Sequence, residues 1–320
     1  MARTRYAPDR GLTVRMTVTM FLLGLVFVAF VALIIGIMTA VHASGAAIVV
    51  VALVFGGGSA IASLFYSDKI ALAAAGARVV SPREAPELHG IVDRLCALAD
   101  MDKPRVAIAP THMPNAFATG RNSKNSVLCV TEGLLDGRAG LTKEELEGVL
   151  AHELSHVAHK DVQVMTIASL LAIVAGLLVR FAFYSELFGG GRRDNNQNAF
   201  PVILGIMVVS AVVYAISFLL IRLLSRYREL AADRSGALLT GQPSALASAL
   251  VKVSNSMSRI PTQDLRSAET LNAFYFAPAM KLTGGGGKSL AQVFSTHPSL
   301  ERRLAELEKI QKQLGQVTPQ

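Results

Sequence analysis

The sequence predicts an α-helical membrane protein: four transmembrane helices and a mainly helical, water-facing domain that contains a small β-sheet. Three observations lead there. The 320 residues are 52% hydrophobic, with a mean hydropathy of +0.44, too apolar for an ordinary soluble chain. Four stretches with little or no charge are each long enough to cross a bilayer. Elsewhere the pattern changes to helical and strand periods bounded by capping and turn residues. The formal net charge of +8 fits nucleic-acid binding or a membrane protein with a cytoplasmic excess of Lys and Arg. The apolar runs favour the second, and no nucleic-acid partner is expected. Cys96 and Cys129 are far apart and read as buried thiols, not as a disulfide framework.

Residues 1–15 carry Arg3, Arg5, Arg10 and Arg15 against one acid, Asp9. Met16 to Val41 follows without charge, too long for the apolar core of a cleaved signal peptide. A second charge-free run covers 43–67, with Gly56 and Ala60 spaced for close helix packing. Residues 1–67 therefore form an N-terminal transmembrane hairpin whose link at His42 has no Lys or Arg. Water-facing character begins at Asp68, and the first part of the soluble domain spans 68–161. Ser81-Pro82-Arg83-Glu84 predicts a capping box and a helix to about Asp100. Short strand-like runs follow at 105–109, 115–119 and 126–130, separated by Pro, Asn and Gly. They predict a small antiparallel sheet, one edge of which either accepts an extended peptide or is covered by the protein itself. His89 and His112 read as ordinary surface or helix-face residues.

Thr142-Lys143-Glu144-Glu145 is another capping box, and Leu146, Val149, Leu150, Leu154 and Val157 then recur at helical spacing. A second membrane hairpin spans 162–224: one run from Val162, interrupted by Arg180, and one from Ala199 to Ile221. Residues 225–320 complete the soluble domain, with helices at 245–257 and 298–314. The stretch Thr283 to Ser289 has Leu282 where a phosphate-binding loop needs Gly, and no strand precedes it, so it reads as a loop. Arg3, Arg5, Arg10, Arg15, Lys69, Lys160, Arg222, Arg226 and Arg228 flank one side of the spans; Arg180, Arg192 and Arg193 flank the other. The excess places both termini and the soluble domain in the cytoplasm.

The chemistry centres on His152-Glu153-Leu154-Ser155-His156. On a helix, His152 and His156 lie one turn apart on one face, positioned to hold one Zn²⁺, with Glu153 beside them as general base. Glu229 and Asp233, also one turn apart, follow the last apolar run. Glu229 supplies the carboxylate of a two-His, one-carboxylate site with an open water position, one zinc per chain. Asp233 is placed to hydrogen-bond a ligand histidine from behind. The competing reading makes the two acids a surface pair with Arg226 or Arg228. His159 lies about 10 Å along the helix axis from His152, too far to share the metal. The ligands sit close to the ends of apolar runs, so the metal is expected on the order of 10 Å from the bilayer.

H-E-L-S-H at 152–156, S-R-Y-R-E-L-A-A-D at 225–233, P-N-A-F-A-T-G at 114–120 and H-P-S-L-E-R-R at 297–303 together resemble the HtpX family of membrane zinc peptidases, relatives of the CAAX prenyl protease. The likeness covers nearly the whole chain, including the order of spans. It implies a zincin-type, gluzincin-like protease domain and an endopeptidase facing the cytoplasm from the bacterial inner membrane. It also implies a part in heat-shock quality control, with unfolded or membrane proteins as substrates and membrane lipid around the spans. By the same likeness Glu229 is the third ligand, the strand from Asn115 with Ala116 and Phe117 meets the substrate backbone, and His297 approaches the metal. The family often carries an aromatic after the ligand Glu; here it is Leu230. Glu153 is expected to move the proton from water to the leaving nitrogen, with His297, or less suitably Tyr227, donating to the oxyanion. Two rivals remain: a specific processing protease for a lipidated or signal-type substrate, and a non-catalytic membrane scaffold. Intact Glu153 and spans without an ion relay speak against the scaffold.

Overall fold

The computed structural model describes residues 10–40, 46–137, 139–189, 199–259 and 296–316. The expected link at His42, the polar loop at 190–196, the glycine-rich stretch at 283–289, Arg3 and Arg5 lie outside them. The chain divides into two compact units: Val14–Ser63 with Val164–Leu224, and Leu64–Gln163 with Ser225–Gln320 and Met1–Thr13.

The apolar unit is built from α1 (Arg10–Ala40), the first part of α2 (Ala46–Ala74), most of α6 (Asp161–Gly189) and the first part of α7 (Ala199–Thr240). Leu23, Phe30 and Ile34 of α1 are buried in one cluster with Ala168, Leu171, Val174, Ala175 and Leu178 of α6. Gly56 lets α2 approach α6: a Cβ there would stand 2.8 Å from Val174 Cγ2. Phe21, Val28 and Val212 face outward, as expected of helices whose solvent is apolar. Among the described residues three helical segments are long and apolar enough to cross a membrane: Arg10–Gly36, Asp161–Arg180 and Ile203–Thr240. The expected span at 43–67 lies partly outside the described residues, so the expected four stand at three among those described.

The second unit surrounds a four-stranded sheet of order β1-β2-β4-β3: β1 (Arg78–Val79), β2 (Arg105–Ala109), β3 (Ala116–Gly120) and β4 (Ser126–Thr131). The sheet is mixed, not antiparallel. β3 and β4 form a hairpin, but β4 inserts beside β2 and runs parallel to it, Val106 opposite Leu128. Gly120 permits that hairpin; with φ +134° it lies where a Cβ would meet Asn125 O at 2.2 Å. Every residue of β4 is buried because both faces are covered, which erases the alternation of a half-exposed strand. On one face Ala107, Phe117, Val127 and Cys129 pack with Ala71 of α2. On the other, Val106, Ala116, Leu128 and Val130 join the main core.

That core is made by α3 (Pro86–Ala99), the short α4 (Glu132–Leu135), α5 (Lys143–Ala158), α7, α8 (Pro243–Arg259) and α9 (Leu300–Gln316) around Leu95, Leu134, Leu150, Leu154, Leu246, Leu250 and Leu307. Each fully buried leucine is worth roughly 2–3 kcal/mol. α3 starts at Pro86, a turn later than the sequence predicts. Glu84 does accept from Ser81 N and Oγ, but Ala85, preceding a proline, is held at φ −138° and cannot be helical. His89 is buried and its Nε2 lies 3.1 Å from Val80 O, so it is not a surface residue. Cys96 and Cys129 are buried free thiols, their pKa values pushed up by burial to about 11 and about 12.

Candidate metal centre

α5 begins with the expected capping box: Thr142 Oγ1 accepts from Glu145 N, and Glu145 Oε2 accepts from Thr142 N. It ends at Ala158, where His159 caps and Lys160 turns the chain at φ +57° before α6 starts at Asp161. His152, Glu153 and His156 thus sit in the last two turns of a largely buried helix. Gly236 brings α7 against that helix; a Cβ there would lie 2.8 Å from His152 N. The close approach puts Glu229 and Asp233, two turns and one turn upstream on α7, over the histidines.

The three expected ligands come together. His152 Nε2 is 3.3 Å from His156 Nε2 and 3.7 Å from Glu229 Oε2, and His156 Nε2 is 3.6 Å from Glu229 Oε1. Among the described residues this is the one group whose ligand atoms converge in this way. A tetrahedral ion with bonds near 2.05 Å needs donors about 3.3 Å apart, so the triangle fits zinc. The tautomers point the same way. His152 Nδ1 donates to Asp233 Oδ1 at 2.9 Å, and His156 Nδ1 donates to Asp161 Oδ2 at 2.7 Å. With Nδ1 engaged in this way, Nε2 of each ring is the nitrogen left for a metal, and both face the Glu229 carboxylate.

Behind each histidine stands a carboxylate, and behind each carboxylate an arginine. Arg303 holds Asp233 with two bonds, Nε to Oδ2 at 2.7 Å and Nη2 to Oδ1 at 2.6 Å. Arg228 Nη2 contacts Asp161 Oδ1 in the other arm. Both arginines are buried. Asp233 and Glu229 therefore have interior partners, not the surface pairing with Arg226 or Arg228 that the sequence also allowed. His159 stands apart, its Nε2 3.2 Å from Ser235 Oγ.

Burial would raise the Glu229 carboxyl, but His297, His156 and Arg303 outweigh it and hold it well below the usual range. Burial likewise opposes Arg303 at Asp233, and the arginine wins, keeping Asp233 ionised. Burial depresses His152 to about 4 despite Asp233, so the ring is neutral at pH 7, as a ligand must be. Glu153 moves oppositely. Burial, reinforced by the Glu229 charge, lifts it to about 8, while its Oε2 accepts from Ala118 N at 3.1 Å. His297 Nδ1 is 3.0 Å from Glu229 Oε2, beside the triangle.

β3 is one edge of the sheet. Asn115, Phe117 and Thr119 face β4 with their backbone groups, so the outward-facing groups belong to Ala116 and Ala118. Asn115, Ala116 and Phe117 are all buried, Phe117 on the α2 side of the sheet, and Ala118 is the partly open residue.

Asp161, Arg228 and Arg303 support the candidate site in a way that their sequence spacing does not predict. Arg303 had a legible signal: it occupies the apolar stripe of α9 with Leu300, Leu307 and Ile310, where a charge has no reason to be unless it is paired.

Residues 82–311 match the profile of peptidase family M48. The chain belongs to this family. It is similar to protease HtpX homolog 1 of Streptomyces coelicolor, 59% identical over 98% of both chains. It is 51% identical to the protease HtpX homolog of Moorella thermoacetica, again over 98% of both. Protease HtpX homolog 2 of Methanosarcina mazei is 48% identical, over 98% of this chain and all of the relative. A member of M48 with this likeness is a metalloprotease, and the family implies a metal at the triangle just described.

Proposed function

We propose that this M48 protein is a zinc-dependent integral-membrane endopeptidase that cleaves misfolded or damaged proteins at the cytoplasmic face of the bacterial inner membrane. The observation that carries the reading is the convergence of two imidazole nitrogens, His152 Nε2 and His156 Nε2, with the Glu229 carboxylate, and Glu153 beside them. His152, His156 and Glu229 would hold the zinc. When bound, it supplies Lewis acidity toward the scissile carbonyl and acidifies water.

The chain's own groups do the rest. Glu153 accepts the proton of the attacking water and returns it to the leaving nitrogen. Its raised pKa and the Ala118 N–H suit a carboxyl that must hold and release a proton near pH 7. His297 is the donor to the oxyanion, supported by its position 3.0 Å from Glu229. Asp233 and Asp161 fix the tautomers of the two ligand histidines. An extended substrate aligns on the outer edge of β3, along the outward backbone groups of Ala116 and Ala118, by strand addition, while Asn115 ties the start of the strand to Thr131. Soluble segments 68–161 and 225–320 form the protease domain, and hairpins 1–67 and 162–224 the anchor. The excess of Lys and Arg beside the apolar runs supports cytoplasmic termini, and the stress-response role rests on the motif resemblance at 114–120, 152–156, 225–233 and 297–303.

The test uses purified protein in detergent, with metal quantified and casein cleavage followed. Parent, Glu153→Gln and Glu229→Ala proteins are compared with and without chelator. Expected are about one zinc in the parent, retained but inactive in Glu153→Gln, and little metal in Glu229→Ala. Cleavage that persists in Glu153→Gln at the parent rate overturns the mechanism.

A further inference from the structure

Where α2 leaves its apolar run, Phe65, Tyr66 and Ile70 are 51%, 53% and 58% exposed. Two basic groups are laid on these rings: the Arg121 guanidinium is 4.5 Å from the centre of Phe65, and Lys69 Nζ is 5.4 Å from that of Tyr66. The acid on the same turn, Asp68, is engaged by Arg105. Among the described residues no carboxylate pairs with Arg121 or Lys69. A guanidinium held over a ring keeps N–H donors that the ring does not use, and a guanidinium fork can clasp a phosphate. Half-exposed aromatic rings next to basic side chains, on a helix continuous with an apolar run, match the composition of a membrane–water interface.

We propose that Arg121 and Lys69, carried on Phe65 and Tyr66, form a binding site for the phosphate of an anionic phospholipid headgroup. The proposal rests on the membrane reading above and adds to it a lipid class and a consequence for the substrate. Arg121 directly follows Gly120, the last residue of β3, and its carbonyl accepts from Gln163 Nε2 on the first turn of α6. Headgroup capture therefore moors the end of the strand that receives the substrate, three residues from the Ala118 N–H bound to Glu153. The substrates favoured by such mooring are chain segments lying at the bilayer surface.

The chain has no tryptophan, so Tyr66→Trp introduces one fluorophore at the site. The full-length Tyr66→Trp protein is reconstituted into phosphatidylcholine vesicles that contain phosphatidylglycerol. Either the phosphatidylglycerol or an equal fraction of the phosphatidylcholine carries brominated acyl chains. The expected result is stronger quenching by brominated phosphatidylglycerol, with an apparent preference of roughly fivefold for each basic residue. Adding Arg121→Gln and Lys69→Gln brings the two quenching curves together, whereas Lys309→Gln, on the exposed face of α9, leaves them apart. Equal quenching by both lipids before these changes overturns the headgroup site while leaving the membrane reading standing. Quenching by neither lipid overturns both. Quenching that stays selective after both substitutions removes Arg121 and Lys69 from the site.

Discussion

Arg303 on α9 donates to both oxygens of Asp233 on α7, at 2.7 and 2.6 Å, with both side chains enclosed. The pair locks two helices together behind His152. Replacing Arg303 by Met leaves Asp233 ionised, buried and without its counter-charge, so a loss of about 3–5 kcal/mol is expected. Arg303→Lys restores the charge without the two-pronged fork and falls in between. Thermal unfolding of the metal-free proteins checks the order. Equal stability of all three would remove the pair from the scaffold of the site.

The second arm makes a separate prediction. Asp161→Asn keeps the shape of the side chain but no longer enforces the His156 tautomer that turns Nε2 toward the metal. Zinc affinity is expected to fall about 10–100-fold. Competition with a chromophoric chelator reads this directly, without an activity assay.

Glu153 sets a pH-dependent stability of the metal-free protein. Its folded pKa is raised to about 8 by burial, against an ordinary 4.5. Above pH 4.5 the unfolded chain releases a proton that the folded one keeps. The carboxyl therefore destabilises the fold increasingly from pH 4.5 up to 8 and by a constant amount beyond. Glu153→Gln removes that cost. The metal-free variant is expected to be more stable than the parent at pH 8 by more than about 1.4 kcal/mol, the worth of one pKa unit. The difference should vanish near pH 4. Denaturant titrations at the two pH values measure it, and a gap of the same size at both would contradict the assignment.

Gly236→Ala tests how the third ligand is delivered. The added Cβ would lie 2.8 Å from His152 N and 3.0 Å from His152 Cα. Backbone on both sides has to move, at about 1–3 kcal/mol. The shift displaces Glu229 from the histidines, so reduced zinc content at equilibrium dialysis is expected along with a lower melting temperature. A glycine substitution in open space, Gly315→Ala, is the control.

Much of the site was legible because its signals are local. A helix places residues four apart on one face whatever surrounds it, so His152 with His156 and Glu229 with Asp233 show in spacing alone. The capping box at Thr142 belongs to the same class and is formed as expected. Signals failed where a nearby residue or a distant partner intervened. Pro86 delayed α3 by a turn, overriding the cap at Ser81. β4 entered the sheet parallel to β2, a choice made by strand insertion and not by strand composition. His89 was buried by an acceptor nine residues away, Val80 O.

The sequence by itself determined the apolar helices, the strand segments, the candidate metal ligands and the family to which the chain belongs. Periodicity, caps and charge are properties of neighbouring residues, and no fold is needed to read them. The tertiary structure alone decided that Arg303 and Arg228 pair with Asp233 and Asp161 behind the two histidines, that Ala118 and not Phe117 turns outward on β3, and that Arg121 rests on Phe65. Each of these joins residues that are distant in sequence. Enclosed charges must find opposite charges wherever packing brings them, and only the packed chain settles which ones meet.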